Sequence, residues 1–137
     1  MTAKLEIYNP DALGAPLGQY SHVTKVSQAT ETLYVAGQVG VLRDGKLAGE
    51  GTFEDQITQT FVNLEAALKS GGMGWGNVAL FTTYLVHSQD IPKFMAWRLK
   101  NFPKIFPDGK YPPNTLLMID RLVQEPLLIE VQCIAAK

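Results

Sequence analysis

Several kinds of protein depend on residues that this chain scarcely has. Cys133 is its one cysteine among 137 residues, which excludes an intramolecular disulfide and a cysteine-rich zinc site and fits a reducing compartment. The two histidines, His22 and His87, lie far apart in the sequence with no neighbouring ligand pair, so no metal site is expected. Charge of one sign is missing as well. Twelve basic and 13 acidic residues leave a net charge of −1 with no basic run, so neither nucleic acid nor an anionic membrane is an expected partner. No stretch approaches 18 uninterrupted apolar residues, and the opening "MTAKLEIYNP" has no apolar core ahead of its first charge. Neither a membrane span nor an export signal is read, and the expectation is a soluble, cytoplasmic protein.

What is present points to one domain over 1–137. Hydrophobic residues make up 46% of the chain, enough for a compact fold that buries roughly two thirds of its unfolded surface. "HVTKVSQ" and "TLYVAGQVGV" are rich in β-branched and aromatic residues and stand either side of a short polar break, so an antiparallel pair is expected there. The Asp44-Gly45 dipeptide marks a turn. From Thr52 the period changes: Phe53, Ile57, Phe61, Leu64 and Leu68 form one apolar stripe of a helix, with Thr52 as its N-cap and Gly71 or Gly72 at its end.

"NVALFTTYLVHS" reads as a strand that is apolar on both faces. Asp90 then caps a second helix with Pro92 in its first turn, running to about Asn101 before Pro103 and Pro107 interrupt it. "NTLLMIDRLV" and "PLLIEVQCIAA" read as two closing strands. Trp75, in the glycine-rich "GGMGWGN", is a loop anchor, and Cys133, alternating with Ile129 and Val131, is a buried inert thiol. The order β-β-α-β-α-β-β predicts an α+β fold whose two helices cover one face of a sheet. Strands over 78–86, 115–122 and 127–135 carry large apolar residues on both faces. The uncovered face therefore calls for a partner, and a closed homo-oligomer with ligand clefts between subunits is expected.

Taken in order, "GQYSHV", "YVAGQVG", "FEDQITQTFVNLEAALKSGG", "VALFTTYLV", the "PPNT" turn and "LLIEVQCIAA" resemble the RidA/YjgF family across nearly the whole chain. The resemblance implies a chorismate-mutase-like α+β fold, a homotrimer whose sheets form a central barrel, and three intersubunit clefts. It also implies hydrolysis of enamines and imines such as 2-aminoacrylate and 2-iminopropanoate to 2-keto acids and ammonia, with no cofactor. By position, Tyr20 matches the family's cleft tyrosine, Ala36-Gly37-Gln38 its small-Gly-Gln segment, and Glu130 the glutamate held to position the attacking water.

One position departs from the family pattern. Where deaminating members carry a P-x-R-[ST] turn whose arginine grips the substrate carboxylate, this chain has Pro112, Pro113, Asn114 and Thr115. Losing such a charge-assisted pair costs about 2 to 5 kcal/mol of binding in a desolvated site. Two other arginines come into consideration. Arg121 would share a strand face with Thr115 but lie ~20 Å along the strand, too far to serve. Arg98, on the second helix, is the candidate replacement. The expected site is thus Glu130 as the catalytic group, with Tyr20, Gly37, Arg98, Asn114 and Thr115 binding substrate. Two functions stay open, a hydrolase of an altered imine or enamine and a trimer that binds a metabolite without turnover. RNA cleavage, a role attached by name to some family members, finds no basic stripe or histidine pair here.

Overall fold

The computed structural model describes residues 3–137. Its elements are β1 (Lys4–Tyr8), β2 (Val23–Ser27), β3 (Thr32–Val39), α1 (Phe53–Ser70), β4 (Val78–Leu85), α2 (Ile91–Ile105), β5 (Asn114–Met118) and β6 (Ile129–Ala136). Four strands form a mixed sheet in the order β3-β6-β4-β5, parallel only between β4 and β5, and β1 and β2 form a separate antiparallel ribbon. This is the expected α+β arrangement of two helices on a mixed sheet.

Strand pairing differs from the sequence reading. The structure pairs β2 with β1, a strand the periodicity did not show, and sends β3 to β6 near the far end of the chain. The cause lies in β6, whose alternate residues Ile129, Val131, Cys133 and Ala135 are all buried. A strand so apolar belongs in the sheet interior with a neighbour on each edge. Leu33↔Ala135 and Val35↔Cys133 supply one edge, and Phe81↔Cys133 and Thr83↔Val131 the other.

Helix α1 forms as its sequence requires. The hydroxyl of Thr52 accepts the amide of Asp55 at 3.1 Å, and each stripe residue from Phe53 to Leu68 is buried. At its other end Gly72 takes φ +71°, while the amide of Met73 returns to the carbonyl of Leu68 at 3.0 Å. α2 runs four residues past Asn101 and includes Pro103. The carbonyl that Pro103 leaves without its helical amide belongs to Leu99, an exposed residue, so no buried acceptor is orphaned. Asp90 occupies the cap position without making a cap bond. Pro92 has removed one of the amides such a cap would reach, and the carboxylate pairs with Lys93 at 3.3 Å instead.

β5 ends at Met118 rather than continuing to Val123. Beyond it the chain loops to β6, and Arg121 braces this loop, donating to the carbonyls of Leu122 and Val123 and pairing with Glu125 at 2.7 Å. Arg121 is therefore neither on the strand nor a free cation. The same loop is fastened to α1 by the buried Gln56, which donates to the carbonyls of Pro126 (2.9 Å) and Gly51 (3.0 Å) and accepts the amide of Leu128 at 2.8 Å.

Trp75 is an anchor. Its indole N–H donates to Glu65 at 2.6 Å, and its ring packs on Phe61, Phe81 and Phe106. Cys133 is buried, and burial pushes its thiol up to about 11. A thiol reagent at pH 8 is accordingly expected to leave the native protein unlabelled over the minutes that suffice for complete labelling in denaturant; fast native labelling would contradict this packing.

Candidate functional site

Helix-facing residues of β4 and β6 fill the core, so the alternate residues stand on the face without helices. Leu80, Thr82 and Tyr84 on β4 line up there with Ile134, Gln132 and Glu130 on β6. Tyr34 on β3, in register with Ile134, is 79% exposed on the same face.

Glu130 sits in this row between Val39 and Tyr84. A break in the β3 register between Val35 and Gln38 brings Gly37 against its carboxylate, and a Cβ at Gly37 would collide with the Glu130 side chain from Cγ to the carboxylate oxygens. Glycine is required at this contact because of space. Gln38 steadies the irregular segment by donating to the carbonyl of Ala36 at 3.0 Å. Glu130 is half-buried and has no hydrogen-bond or ion-pair partner among the described residues. Burial therefore raises its carboxyl above the usual glutamate range, with no nearby cation to oppose the rise.

Asn114 and Thr115 begin β5. The carbonyl of Pro113 accepts the amide of Phe81 at 2.9 Å, which docks the Pro-Pro turn onto β4 and puts Asn114 in parallel register with Phe81. Asn114 thus shares the helix-facing side, where its carboxamide oxygen accepts the hydroxyl of the buried Thr83 at 2.7 Å. Thr115, one residue on, is exposed on the opposite face, in register with Thr82.

Tyr20 and Arg98 form a third group. The segment from Asn9 to His22 lies as a strap between β1 and β2, held where the His22 ring donates to the carbonyl of Gly14 (2.6 Å) and the amide of His22 to the side chain of Asn9 (2.8 Å). Tyr20 stacks edge-on to His22 at 6.0 Å, and its hydroxyl accepts the amide of Leu17 at 3.3 Å. Arg98 reaches this strap from α2. Helix arginines ordinarily stand in water, yet this one is only 3% exposed, with its guanidinium 4.3 Å above the Phe94 ring. It donates to the carbonyl of Gln19 at 3.2 Å and contacts the sulfur of Met95 at 3.2 Å. Its Nε–H has no partner, and no carboxylate pairs with it among the described residues. Burial lowers its pKa to about 10, with Tyr20 opposing the change.

Within one chain, then, Gly37 and Glu130 are brought together, as are Tyr20 and Arg98. Asn114 and Thr115 point to opposite sides of the sheet. One residue that sequence reasoning passed over belongs with Glu130, namely Tyr84, directly across from it; Gln132, which strand alternation already puts on the face of Glu130, accepts the Tyr84 hydroxyl on its side-chain oxygen at 3.0 Å. Alternation along 78–86 would have placed Tyr84 there too. Among the described residues no cluster of three or more histidine, cysteine, aspartate or glutamate side chains could hold a metal, and no helix is long and apolar enough to cross a membrane.

The fold and site define an α+β protein in which two helices cover one face of a mixed sheet and the opposite, partly polar face bears an unpaired carboxyl. The particular family follows from comparison. Residues 10–137 match the endoribonuclease L-PSP family, and the chain belongs to this family, which includes the RidA/YjgF and RutC proteins. A RutC family protein of Synechocystis is 30% identical over 122 residues, 88% of each chain. A 2-iminobutanoate/2-iminopropanoate deaminase of the mite Dermatophagoides farinae is 24% identical over 115 residues, 79% of this chain and 87% of that one. The crystal structure of the Rid protein YyfB of Yersinia pestis, of unknown function, superposes with a TM-score of 0.84 at 25% identity over the whole of both chains.

Proposed function

We propose that this chain, acting as one RidA-like domain over 1–137, hydrolyses an imine or its enamine tautomer to a carbonyl compound and ammonia. The carrying observation is Glu130, a half-buried carboxyl on the open sheet face with no cation beside it and glycine clearance below it. A raised carboxyl exchanges protons nearer neutral pH than an ordinary surface glutamate. As the acid it protonates the enamine carbon to give the iminium ion, and then, as the carboxylate, it takes a proton from water as the water oxygen bonds to the iminium carbon. The re-formed carboxyl protonates the nitrogen of the resulting carbinolamine, and as the C–N bond breaks and ammonia leaves, the hydroxyl proton passes to the carboxylate and the carbonyl forms. Such substrates hydrolyse unaided, so holding water and substrate in line is most of the task. Kinship with a protein named as a 2-iminobutanoate/2-iminopropanoate deaminase supports this chemistry.

The open face supports assembly as a homotrimer, with clefts in which the face of one subunit that carries Glu130, Gly37 and Thr115 meets a neighbouring subunit, and the lone buried thiol supports a reducing, cytoplasmic setting. A second reading, a trimer that binds a metabolite without turnover, draws on Asn114, which is uncharged and already bonded to Thr83. Ammonia release from imines generated in place, some with and some without a carboxylate, separates the two. Acceleration over a buffer control is expected for at least one of them. Unchanged lifetimes for all of them, together with a ligand that stabilises the protein and is recovered intact, would replace the hydrolase with the binding trimer.

A further inference from the structure

We propose that Arg98 is a carboxylate-recognition residue whose binding edge is stoppered by Met95. The inference deepens the hydrolase reading by naming the charge its substrate carries; it rests on that reading for the chemistry and not for the binding.

A guanidinium that is buried without a counter-charge does not help the fold. Desolvating it is costly, and an apolar side chain of similar volume in its place would serve packing better. The surroundings of Arg98 are apolar on its own helix, where Phe94, Met95 and Phe102 adjoin it, and uncharged on the strap, which supplies Gly18, the Gln19 carbonyl and Tyr20. Nothing there neutralises it.

Its unmet valences are arranged in a recognisable way. Nη1 is committed to the Gln19 carbonyl. Nε–H is buried and unpartnered, and Nη2 touches only the Met95 thioether, a weak acceptor. Nε and Nη2 are the two donors of the guanidinium's side edge, whose parallel N–H groups match the two oxygens of a carboxylate. The free edge is thus the carboxylate-binding one. Gly18 lies against it: a Cβ there would come within 3.3 Å of Nη2 and 2.5 Å of the Met95 methyl. Because Gly18 has no side chain, the one side chain in contact with Nη2 at this edge is that of Met95, the most easily rearranged of apolar side chains. A carboxylate takes the edge when the Met95 thioether swings aside, with the Tyr20 hydroxyl beside it.

The test is a titration of the full-length protein, labelled on its methionine methyls, with pyruvate, propanoate and the neutral propanamide at constant ionic strength. The Met95 resonance is assigned by its loss in Met95→Leu. The expected result is a saturable shift of the Met95 methyl with both carboxylates, none with the amide, and affinity weakened at least about tenfold in Arg98→Met. Met95→Ala, which removes the stopper and keeps the arginine, is expected to bind more tightly than wild type. An absent shift in wild type, or equal shifts with carboxylate and amide, would overturn the proposal even if Arg98→Met did not fold. Failure here alongside turnover of uncharged imines would leave the hydrolase intact. Carboxylate binding without turnover of any imine would do the reverse.

Discussion

Replacing Glu130 with glutamine is expected to abolish most turnover while making the protein more stable. In the proposed acid-base role Glu130 would be worth about a hundredfold to ten-thousandfold in rate, and glutamine fits the same space over Gly37 without titrating. Stability moves the other way because burial raises the Glu130 carboxyl in the folded state. A group so raised contributes fully only below its unfolded pKa, and that contribution is lost as pH rises through the folded value. At neutral pH the wild type therefore bears a desolvation cost that the variant does not. Melting curves from pH 4 to pH 8 should show the two proteins converging at the acid end and Glu130→Gln melting higher above it. A variant less stable than wild type at pH 7 would mean that Glu130 is a structural group with an unseen partner. Full ammonia release by Glu130→Gln would remove it from the chemistry.

Gln56→Leu is expected to be the most damaging single change in the fold outside the aromatic core. The side chain is fully buried, and its three hydrogen bonds join α1 to Gly51, Pro126 and Leu128, the last two more than 60 residues away in sequence. Leucine fills the volume but leaves the Leu128 amide and the Pro126 and Gly51 carbonyls without partners. Each orphaned group costs about 1 kcal/mol or more, so a loss of about 3 kcal/mol and a melting temperature lower by about 10 °C are expected. Hydrogen exchange at the Leu128 amide should quicken ahead of the rest of β6. A drop under about 3 °C would show that the loop after β5 holds its place without this fastening.

Legibility in the sequence followed the range of the forces involved. The stripe from Phe53 to Leu68 and the Thr52 cap act within one or two turns, so spacing alone disclosed α1. Pro103 misled because its effect depends on which carbonyl it frees, and Leu99 faces solvent. Asp90 misled because Pro92 had removed an amide it would have capped. β1 escaped notice because "KLEIY" is short and charged, and it becomes a strand only by zipping onto Val23–Ser27. At the candidate site, Glu130 and Gly37 were found by resemblance, but their contact depends on a register break in β3 that no residue pattern announces.

The sequence by itself determined the two helices, the alternating strands, the absence of charge fit for a polyanion, and the identity of the residues available for chemistry. These follow from periodicity and composition, which local geometry turns directly into structure. The tertiary structure alone decided that β6 lies between β3 and β4, that Arg121 braces a loop, that Asn114 bonds Thr83, and that Arg98 is sealed under the strap without a counter-charge. Each of these depends on segments distant in sequence coming together, where burial, rather than residue type, sets what an arginine, an asparagine or a glutamate can do.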